Sequence, residues 1–376
     1  MTDFIALANT GVQGLRPYQA GKPIEELERE LGLKNVVKLA SNENPLGPSP
    51  VALAAAQKAA EGMHLYPDSN GFELKAALSA SLNAAGASIA SEQLTLGNGS
   101  NDVLDLIARA YLEPGKSAVY SAHAFVVYPI AVQACGARAI VTPAKNWGHD
   151  LEAMAAAIEP DTRVVFIANP NNPTGTWLTE TNIRAFMATV ASDVVVVLDE
   201  AYTEYVTEAE YPDGVALLTE YPNLIVTRTF SKAYGLAGSR VGYSISSAQI
   251  ADVLNRVRGP FNVNLLAMAA ATAALSDQVY LETAREVNSA GMAQLEAGLA
   301  ELNIPFIPSV GNFISFESPV DAAALYDSLL RRAVIGRPVG VYNMPNYLRV
   351  SIGLEEENSK FLEQLPLAIA DVQAAV

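Results

Sequence analysis

Lys232 is the residue with the clearest potential for nucleophilic chemistry in this sequence. It stands in the segment Thr227-Arg-Thr-Phe-Ser-Lys-Ala-Tyr-Gly-Leu-Ala-Gly-Ser-Arg240, which follows the predicted strand Leu224–Arg228. A lysine amine is a nucleophile only when its pKa is depressed, and an apolar pocket with a neighbouring cation has that effect. Small and apolar residues surround Lys232, and Arg240 follows eight positions later. Taken alone, however, a surface lysine in a loop is the simpler interpretation.

A carboxylate ends the most apolar strand of the sequence. Asp199 follows Val194-Val-Val-Val-Leu198 and precedes Tyr202 by three residues. A buried carboxylate is costly unless a cation or hydrogen-bond donors meet it, so Asp199 calls for a buried cationic partner. Tyr202 could present its hydroxyl beside it. The alternative is that Asp199 merely caps a helix at the strand exit.

A third polar segment, Asn169-Pro-Asn-Asn-Pro-Thr-Gly175, follows the predicted strand Arg163–Ala168. Prolines, asparagines and a glycine cannot continue a strand, so it is a rigid turn with or without a functional role. All three segments follow strands of one predicted sheet, where ligands bind beyond the carboxyl ends. Together they offer a Schiff-base lysine, a carboxylate for a pyridinium nitrogen and donors for a phenolate. This is the set that pyridoxal 5'-phosphate (PLP) requires.

The pattern of apolar runs predicts an α/β fold with a doubly wound, mostly parallel sheet in a large domain and a smaller α+β domain. We expect the large domain over residues 41–270. Residues 1–40 and 271–376 would form the small one. The predicted strands of the large domain are Ser117–Tyr120, Ala137–Val141, Arg163–Ala168, Val194–Asp199, Leu224–Arg228 and Gly242–Ile245. The predicted helices between them are Asn101–Tyr111, Leu151–Ile158 and Thr179–Val190.

Asn169–Gly175, Asp199–Tyr202 and Ser231–Arg240 together resemble the class I/II aminotransferases of PLP fold type I. Within that class the chain resembles the histidinol-phosphate aminotransferase family over roughly residues 10 to 370. The segments that carry this narrower resemblance are Leu15–Leu27, Asn42–Pro48, Leu65–Asp68, Leu348–Gly353 and Glu355–Asn358.

The resemblance implies a role for each site residue. Asn172 and Tyr202 would bond the cofactor's ring oxygen, Asp199 its pyridine nitrogen, and Lys232 would also transfer protons. Phe125 would stack on the ring, although it could equally be a core aromatic. Glycines before a helix form an anion cradle, which predicts a phosphate site. Its residues would be Gly99, Ser100, Asn101, Ser231 and Arg240.

The resemblance also implies a homodimer, in which Tyr66 reaches the neighbouring subunit's cofactor phosphate. Arg337 and Arg349 would bind the substrate, because a planar guanidinium grips a carboxylate or a phosphate with two bonds. Tyr18 and Asn312 would line the substrate side. The family pattern has glycine and leucine where this chain has Asn343 and Met344, a departure that bears on the substrate and not on the chemistry.

The bulk composition excludes other classes of function. With 24 basic and 40 acidic residues the formal net charge is −16, and no basic cluster offsets it, so nucleic-acid binding is not expected. No apolar run approaches the length of a membrane span. The single cysteine, Cys135, allows no internal disulfide and no cysteine-based metal cage. Together with an N-terminus that lacks the features of a signal peptide, it predicts a cytoplasmic protein.

The expected reaction is therefore PLP-dependent transamination between histidinol phosphate and 2-oxoglutarate in histidine biosynthesis, with small molecules as the ligands. An aromatic amino-acid aminotransferase on the same scaffold is the nearest alternative, because imidazole and phenyl side chains are both flat rings. A PLP-dependent phosphoamino-acid decarboxylase is a third possibility, and a PLP-binding regulator is a remote one. His123, close before Phe125, is expected to be a packed or solvated histidine.

Overall fold

The computed structural model describes residues 2–18 and 20–375. Over these residues the chain forms one large sheet, one smaller sheet and two short strand pairs, with helices packed around them. The strands are β1 (Val37–Lys38), β2 (Leu94–Gly97), β3 (Ser117–Ser121), β4 (Arg138–Thr142), β5 (Ala144–Lys145), β6 (Gly148–His149), β7 (Thr162–Ala168), β8 (Val195–Asp199), β9 (Leu224–Thr229), β10 (Gly242–Ser246), β11 (Phe306–Ile307), β12 (Phe313–Glu317), β13 (Val334–Ile335), β14 (Arg337–Pro338) and β15 (Tyr347–Ser351).

The helices vary in length from one turn to nearly seven. They are α1 (Thr10–Gln13), α2 (Ile24–Leu31), α3 (Pro50–Ala59), α4 (Phe72–Ala84), α5 (Ser100–Tyr111), α6 (Val127–Ala134), α7 (Leu151–Ala156), α8 (Glu180–Met187), α9 (Gly214–Leu217), α10 (Ala248–Val257), α11 (Leu265–Ala274), α12 (Gln278–Glu301), α13 (Ala322–Arg331) and α14 (Glu355–Ala374). Short 3-10 turns lie at Ala60–Gly62, Ser91–Gln93, Thr203–Tyr205, Ala237–Ser239 and Gly340–Tyr342. No helix among the described residues is both long enough and apolar enough to cross a membrane.

The large sheet has seven strands in the order β2-β10-β9-β8-β7-β3-β4. Its five strands from β9 to β4 pair in parallel, whereas β10 runs antiparallel to both of its neighbours, β2 and β9. The prediction of a doubly wound, mostly parallel sheet is confirmed. Parallel strands place their carboxyl ends at one edge, which is where β7, β8 and β9 deliver the polar segments singled out above.

Helices cover both faces of this sheet, and the central strands are apolar on both sides for that reason. Alternate residues of β8 point to opposite faces. Val196 and Leu198 pack with apolar residues of α4, α7, α8 and α11 on one face. Val195 and Val197 pack with those of α5, α6 and α10 on the other. The continuous run of valines is thus the signature of a strand buried between two helical layers.

The C-terminal part builds a second, smaller core. Its sheet has the order β11-β12-β15-β14 and is antiparallel throughout. Apolar residues of α12, α13 and α14 pack on it, and Leu39 of the N-terminal segment joins the same cluster. Beside it, β1 pairs in parallel with β13. Residues 37–39 of the N-terminal segment therefore pack with the C-terminal part, whereas α1 contacts α6 beside the large sheet.

The sequence predicts most central elements to within a few residues but misses others. The strand β2, the helix α6 and the hairpin of β5 and β6 have no counterpart among the predicted elements. Helix α8 ends at Met187 and not at Val190, because a turn follows directly. The edge strand β2 is only four residues long and fully buried, so it gives no periodic signal.

Candidate active site

Three neighbouring strands deliver the predicted catalytic segments to one cavity. Asp199 is the last residue of β8, Asn172 lies in the turn after β7, and Lys232 follows β9. All three side chains line the cavity with residues from the N-terminal segment and the C-terminal sheet. The other predicted residues in the lining are Tyr18, Ser100, Asn101, Phe125, Tyr202, Ser231, Arg240, Arg337 and Arg349.

Lys232 is one of the residues that line this cavity. Its Nζ atom donates a hydrogen bond of 3.0 Å to the carbonyl oxygen of Ser41 and lies 5.7 Å from the ring centre of Tyr202. Burial lowers the pKa of Lys232 to about 7, and the nearby Arg349 guanidinium contributes in the same direction. A substantial fraction of this amine is therefore neutral at physiological pH. A neutral amine can act as a nucleophile or as a base.

Asp199 is buried, and both of its oxygens accept hydrogen bonds. The hydroxyl of Tyr128 donates to Oδ2 and that of Thr227 donates to Oδ1, each at 2.8 Å. Burial raises the pKa of Asp199, although the two hydrogen bonds lower it. A cationic N–H group placed against this carboxylate would restore its charge. The pyridinium nitrogen of PLP is such a group.

Tyr202 receives two amide donors at its hydroxyl oxygen. Nδ2 of Asn172 lies 3.1 Å away and Nδ2 of Asn42 lies 3.0 Å away. Burial raises the pKa of Tyr202 to about 12, so its hydroxyl keeps its proton. Because its lone pairs accept from the two amides, this proton is available to a further oxygen. A phenolate oxygen bound in the cavity would accept a hydrogen bond from the Tyr202 hydroxyl.

The amino end of α5 forms a cradle for an anion. Gly99 has φ 82° and ψ 163°, a backbone region that only glycine readily adopts. A Cβ atom on Gly99 would come within 2.4 Å of Nη2 of Arg240. The guanidinium of Arg240 also donates to Oγ of Ser231 at 3.3 Å. The N–H groups at the start of a helix and a guanidinium beside them suit a phosphate group.

Two arginines of the small sheet face the same cavity. Arg337 on β14 pairs with Arg349 on β15 in antiparallel register, and residues directly opposite lie on one face of a sheet. Arg349 is buried and donates to Oδ1 of Asn172 and, at 2.8 Å, to the carbonyl of Ala40. The guanidinium carbon of Arg337 lies 5.6 Å from the ring centre of Tyr18. This end of the cavity can bind an anionic substrate group.

Three predicted site residues are not part of the described lining. Gly99 lies behind it, where its lack of a side chain leaves room for Arg240. Asn312 lies behind Asn42 and donates from Nδ2 to its carbonyl oxygen at 3.0 Å. Tyr66 is 83% exposed and stacks on Phe261, with ring centres 4.7 Å apart.

The structure also brings in residues that the sequence analysis did not assign to the site. Asn42 supports the Tyr202 hydroxyl, and Tyr128 supports Asp199. Tyr342 is buried and lines the cavity beside Arg349. Asn42 lies within a segment that carries the family resemblance, which was the available signal. Tyr128 gave none, because a tyrosine in an apolar helix is typical of a core.

Comparison with known proteins assigns the family. The model of "Aminotransferase class I and II" matches residues 34–365. The chain belongs to the class I and II aminotransferases. It is 59% identical over 370 residues to a histidinol-phosphate aminotransferase 2 of Pseudomonas fluorescens, with 98% of this chain and 99% of that protein covered. A protein of the same name from Pseudomonas aeruginosa is 58% identical over 372 residues, covering 98% and 100%.

A solved structure supports the same conclusion. The crystal structure of histidinol-phosphate aminotransferase from Sinorhizobium meliloti in complex with pyridoxal-5'-phosphate has a TM-score of 0.87 and 30% sequence identity. The match covers 96% of this chain and 97% of that one. The predictions of fold type I and of an aminotransferase are therefore confirmed. In this aminotransferase, Lys232, Asp199 and Tyr202 line one cavity.

Proposed function

We propose that this aminotransferase transfers an amino group between histidinol phosphate and 2-oxoglutarate, a step of histidine biosynthesis. The names of relatives that are 58–59% identical over nearly the full chain support this substrate. The observation that carries the proposal is the pair Arg337 and Arg349, which face one cavity from opposite positions on adjacent strands. Histidinol phosphate has no carboxylate, but its phosphate ester can bind between two guanidinium groups.

The cavity residues fit PLP as the cofactor. Lys232 would hold it covalently, Asp199 would pair with its ring nitrogen, and Asn172 and Tyr202 would bond its ring oxygen. Its phosphate would lie at the amino end of α5 with Ser100, Asn101, Ser231 and Arg240, while Phe125 would cover the ring. When bound, PLP supplies an electron sink for the α-carbon of the substrate.

The protein's own contribution to the reaction is to orient groups and to transfer a proton. Once the amino donor has displaced Lys232 from the cofactor, Nζ of Lys232 would be a free amine and would take the proton from the donor's α-carbon as a general base. The pKa of about 7 keeps enough of that amine neutral for the task. The Tyr202 hydroxyl, held by Asn42 and Asn172, stays protonated and acts as a hydrogen-bond donor.

Both substrates would use the same arginines in different ways. Glutamate, the partner of 2-oxoglutarate, would place its α-carboxylate against the buried guanidinium of Arg349. Histidinol phosphate would place its phosphate against Arg337 and Arg349 together. Tyr18, whose ring packs on the Arg337 guanidinium, supports the position of Arg337.

We also propose a homodimer with shared active sites. Tyr66 is exposed, lies outside the cavity lining of its own chain, and has exposed apolar neighbours. Phe261, on which its ring stacks, is exposed, as are Met63, Leu65 and Phe72, which lie within six residues of Tyr66 in the sequence. In such a dimer Tyr66 would reach the partner's cofactor phosphate. The division into a large domain of residues 41–270 and a small domain of residues 1–40 and 271–376, and a cytoplasmic location, belong to the same proposal.

An aromatic amino-acid aminotransferase is the rival function, because Phe125 and Tyr342 in the lining suit any flat ring. Steady-state kinetics with histidinol phosphate, phenylalanine and tyrosine, each with 2-oxoglutarate, separate the two. We expect the highest kcat/KM for histidinol phosphate. A higher kcat/KM for phenylalanine would overturn this assignment. Release of carbon dioxide from a phosphoamino acid would instead indicate a decarboxylase.

A further inference from the structure

His123 joins the large sheet to the C-terminal part through one hydrogen bond. It follows β3, is half-buried, and adopts φ 60°, a left-handed value at which asparagine, aspartate and histidine are the most enriched residues apart from glycine. Its Nδ1 atom lies 2.7 Å from the carbonyl oxygen of Tyr342, 219 residues further along the chain. Because a carbonyl oxygen only accepts, the ring must donate this bond through Nδ1–H. The bond therefore fixes where the ring carries a proton.

The backbone and ring of His123 contact two further loops around the cavity. Its carbonyl oxygen accepts a bond of 3.0 Å from Nδ2 of Asn171, the neighbour of Asn172. Its ring centre lies 5.2 Å from that of Trp147, which lies 4.9 Å from the ring of Tyr347. The loops after β3 and after β7, the turn between β5 and β6 and the loop before β15 therefore meet at His123.

Tyr342 is the residue through which this arrangement reaches the substrate. It is buried, lines the cavity beside Arg349, and ends the 3-10 turn Gly340–Tyr342. The next residue, Asn343, adopts the left-handed conformation with φ 58°. The Tyr342 ring packs with apolar residues that include Val339 and Met344, and the bond from His123 adds a constraint on the backbone that carries this ring. His123 itself is not among the described residues that line the cavity.

We propose that His123 is a positioning residue that holds Tyr342 as a wall for the ring of the amino donor, and thereby sets specificity for ring-bearing donors over glutamate. The inference rests on the proposed function, since it requires a donor with a flat ring. Glutamate has no ring to pack against Tyr342, and its α-carboxylate would bind Arg349. Loss of the His123 bond should therefore affect the two kinds of donor differently.

Two substitutions of similar polarity provide the test. In His123→Asn, an amide N–H stands at the δ position, where the imidazole donor is, and asparagine tolerates the left-handed backbone. In His123→Gln, the donor lies one bond further out and the carbonyl of Tyr342 loses its partner. His123→Ala removes donor and ring together. Folding is checked for each by circular dichroism, and cofactor binding by the visible spectrum.

For His123→Gln and His123→Ala we expect a KM for histidinol phosphate raised about 10-fold, the equivalent of one hydrogen bond. The kcat, the KM for glutamate and the cofactor spectrum should stay within about twofold of the wild-type values. His123→Asn should restore most of the affinity. An unchanged KM for histidinol phosphate in the glutamine variant, or an equal rise for glutamate, would overturn the proposal.

The same measurements separate a failure of this proposal from a failure of the proposed function. If the wild-type enzyme prefers phenylalanine, the histidinol-phosphate assignment is wrong. The three variants are then measured with phenylalanine as the donor. The KM for phenylalanine should be close to the wild-type value in His123→Asn and raised in His123→Gln and His123→Ala. Equal values of that KM across the series would refute the role of His123.

Discussion

Arg337 lies directly across from Arg349 on adjacent antiparallel strands, so two guanidinium groups face one cavity. Like charges in opposite positions of a sheet repel each other. An anion bound between them offsets this repulsion, which makes the pair suitable for a dianionic phosphate. The α-carboxylate of glutamate needs only one of the two, and Arg349, which donates to Asn172 and Ala40, is held in place for it.

The first prediction concerns Arg337→Gln. The substitution removes a charged hydrogen bond worth about 1.5–3 kcal/mol, which corresponds to a rise in KM for histidinol phosphate of roughly 10- to 150-fold. The KM for glutamate should change by less than about threefold. Arg337→Lys is the matched control and should recover part of the affinity, because it restores the charge without the planar fork. Equal effects on both donors would contradict this division of roles.

The second prediction concerns the anion cradle. Gly99→Ala places a Cβ where Arg240 lies and imposes a backbone that alanine avoids, at a cost on the order of 1–3 kcal/mol. The affinity for PLP should fall by roughly 5- to 150-fold, as measured by titration of the cofactor-free protein. Gly238→Ala is the control, because a Cβ there meets no atom within 4 Å and the residue has no positive φ. If both variants bound PLP equally well, the cradle would lie elsewhere.

The third prediction concerns Glu204. Its backbone carbonyl accepts a hydrogen bond of 2.6 Å from Nε of Arg285. Its side-chain Oε2 atom is buried without a hydrogen-bond partner among the described residues. Burial raises the pKa of Glu204 from its ordinary value of 4.5 to about 7. The folded state then holds a proton that the unfolded state has lost, so the free energy of unfolding should fall as pH rises from about 4.5 to about 7.

Glu204→Gln removes this titration. Between pH 5 and pH 8 the wild-type protein should lose roughly 1–3 kcal/mol more stability than the variant. The measurement is denaturant unfolding of both proteins at each pH, and comparing the two pH values removes any constant cost of the buried amide. Parallel stability curves for the two proteins would show that Glu204 titrates normally.

The fourth prediction concerns Tyr66 and the proposed dimer. If Tyr66 acts on the partner's site, a mixed dimer of Tyr66→Ala and Lys232→Ala subunits contains one site with both defects and one with neither. Refolding the two variants together in equal amounts should restore activity to about a quarter of the wild-type value, since half of the dimers are mixed. If Tyr66 acted within its own chain, every mixed site would carry one defect and no activity would return.

How far the sequence predicts this site depends on how local each contact is. Lys232, Asp199 and Asn172 each follow a strand directly, and the parallel pairing of β7, β8 and β9 brings the three together. The motifs around these three residues are therefore sufficient to predict that they lie close together. Asn42 and Tyr202 are 160 residues apart, and only the docking of the N-terminal segment on the small sheet makes them neighbours.

The same reasoning explains the elements that were missed. Strand direction depends on the partner, so four buried residues such as Leu94–Gly97 cannot reveal that β2 lies beside the antiparallel strand β10. The bond between His123 and Tyr342 spans 219 residues, and a histidine beside Phe125 was indistinguishable from a packed or solvated one. Contacts between distant segments require the folded chain.

The visible spectrum of Lys232→Ala tests the central claim most directly. Lys232 is expected to hold PLP covalently, so the wild-type protein should show the absorption of the bound cofactor and transaminate. In the variant, this absorption should shift to that of free PLP and nearly all transamination should disappear. Asp199, Tyr202 and the cradle remain in place, so the variant should still bind PLP without the covalent bond. Normal turnover by Lys232→Ala would contradict the account.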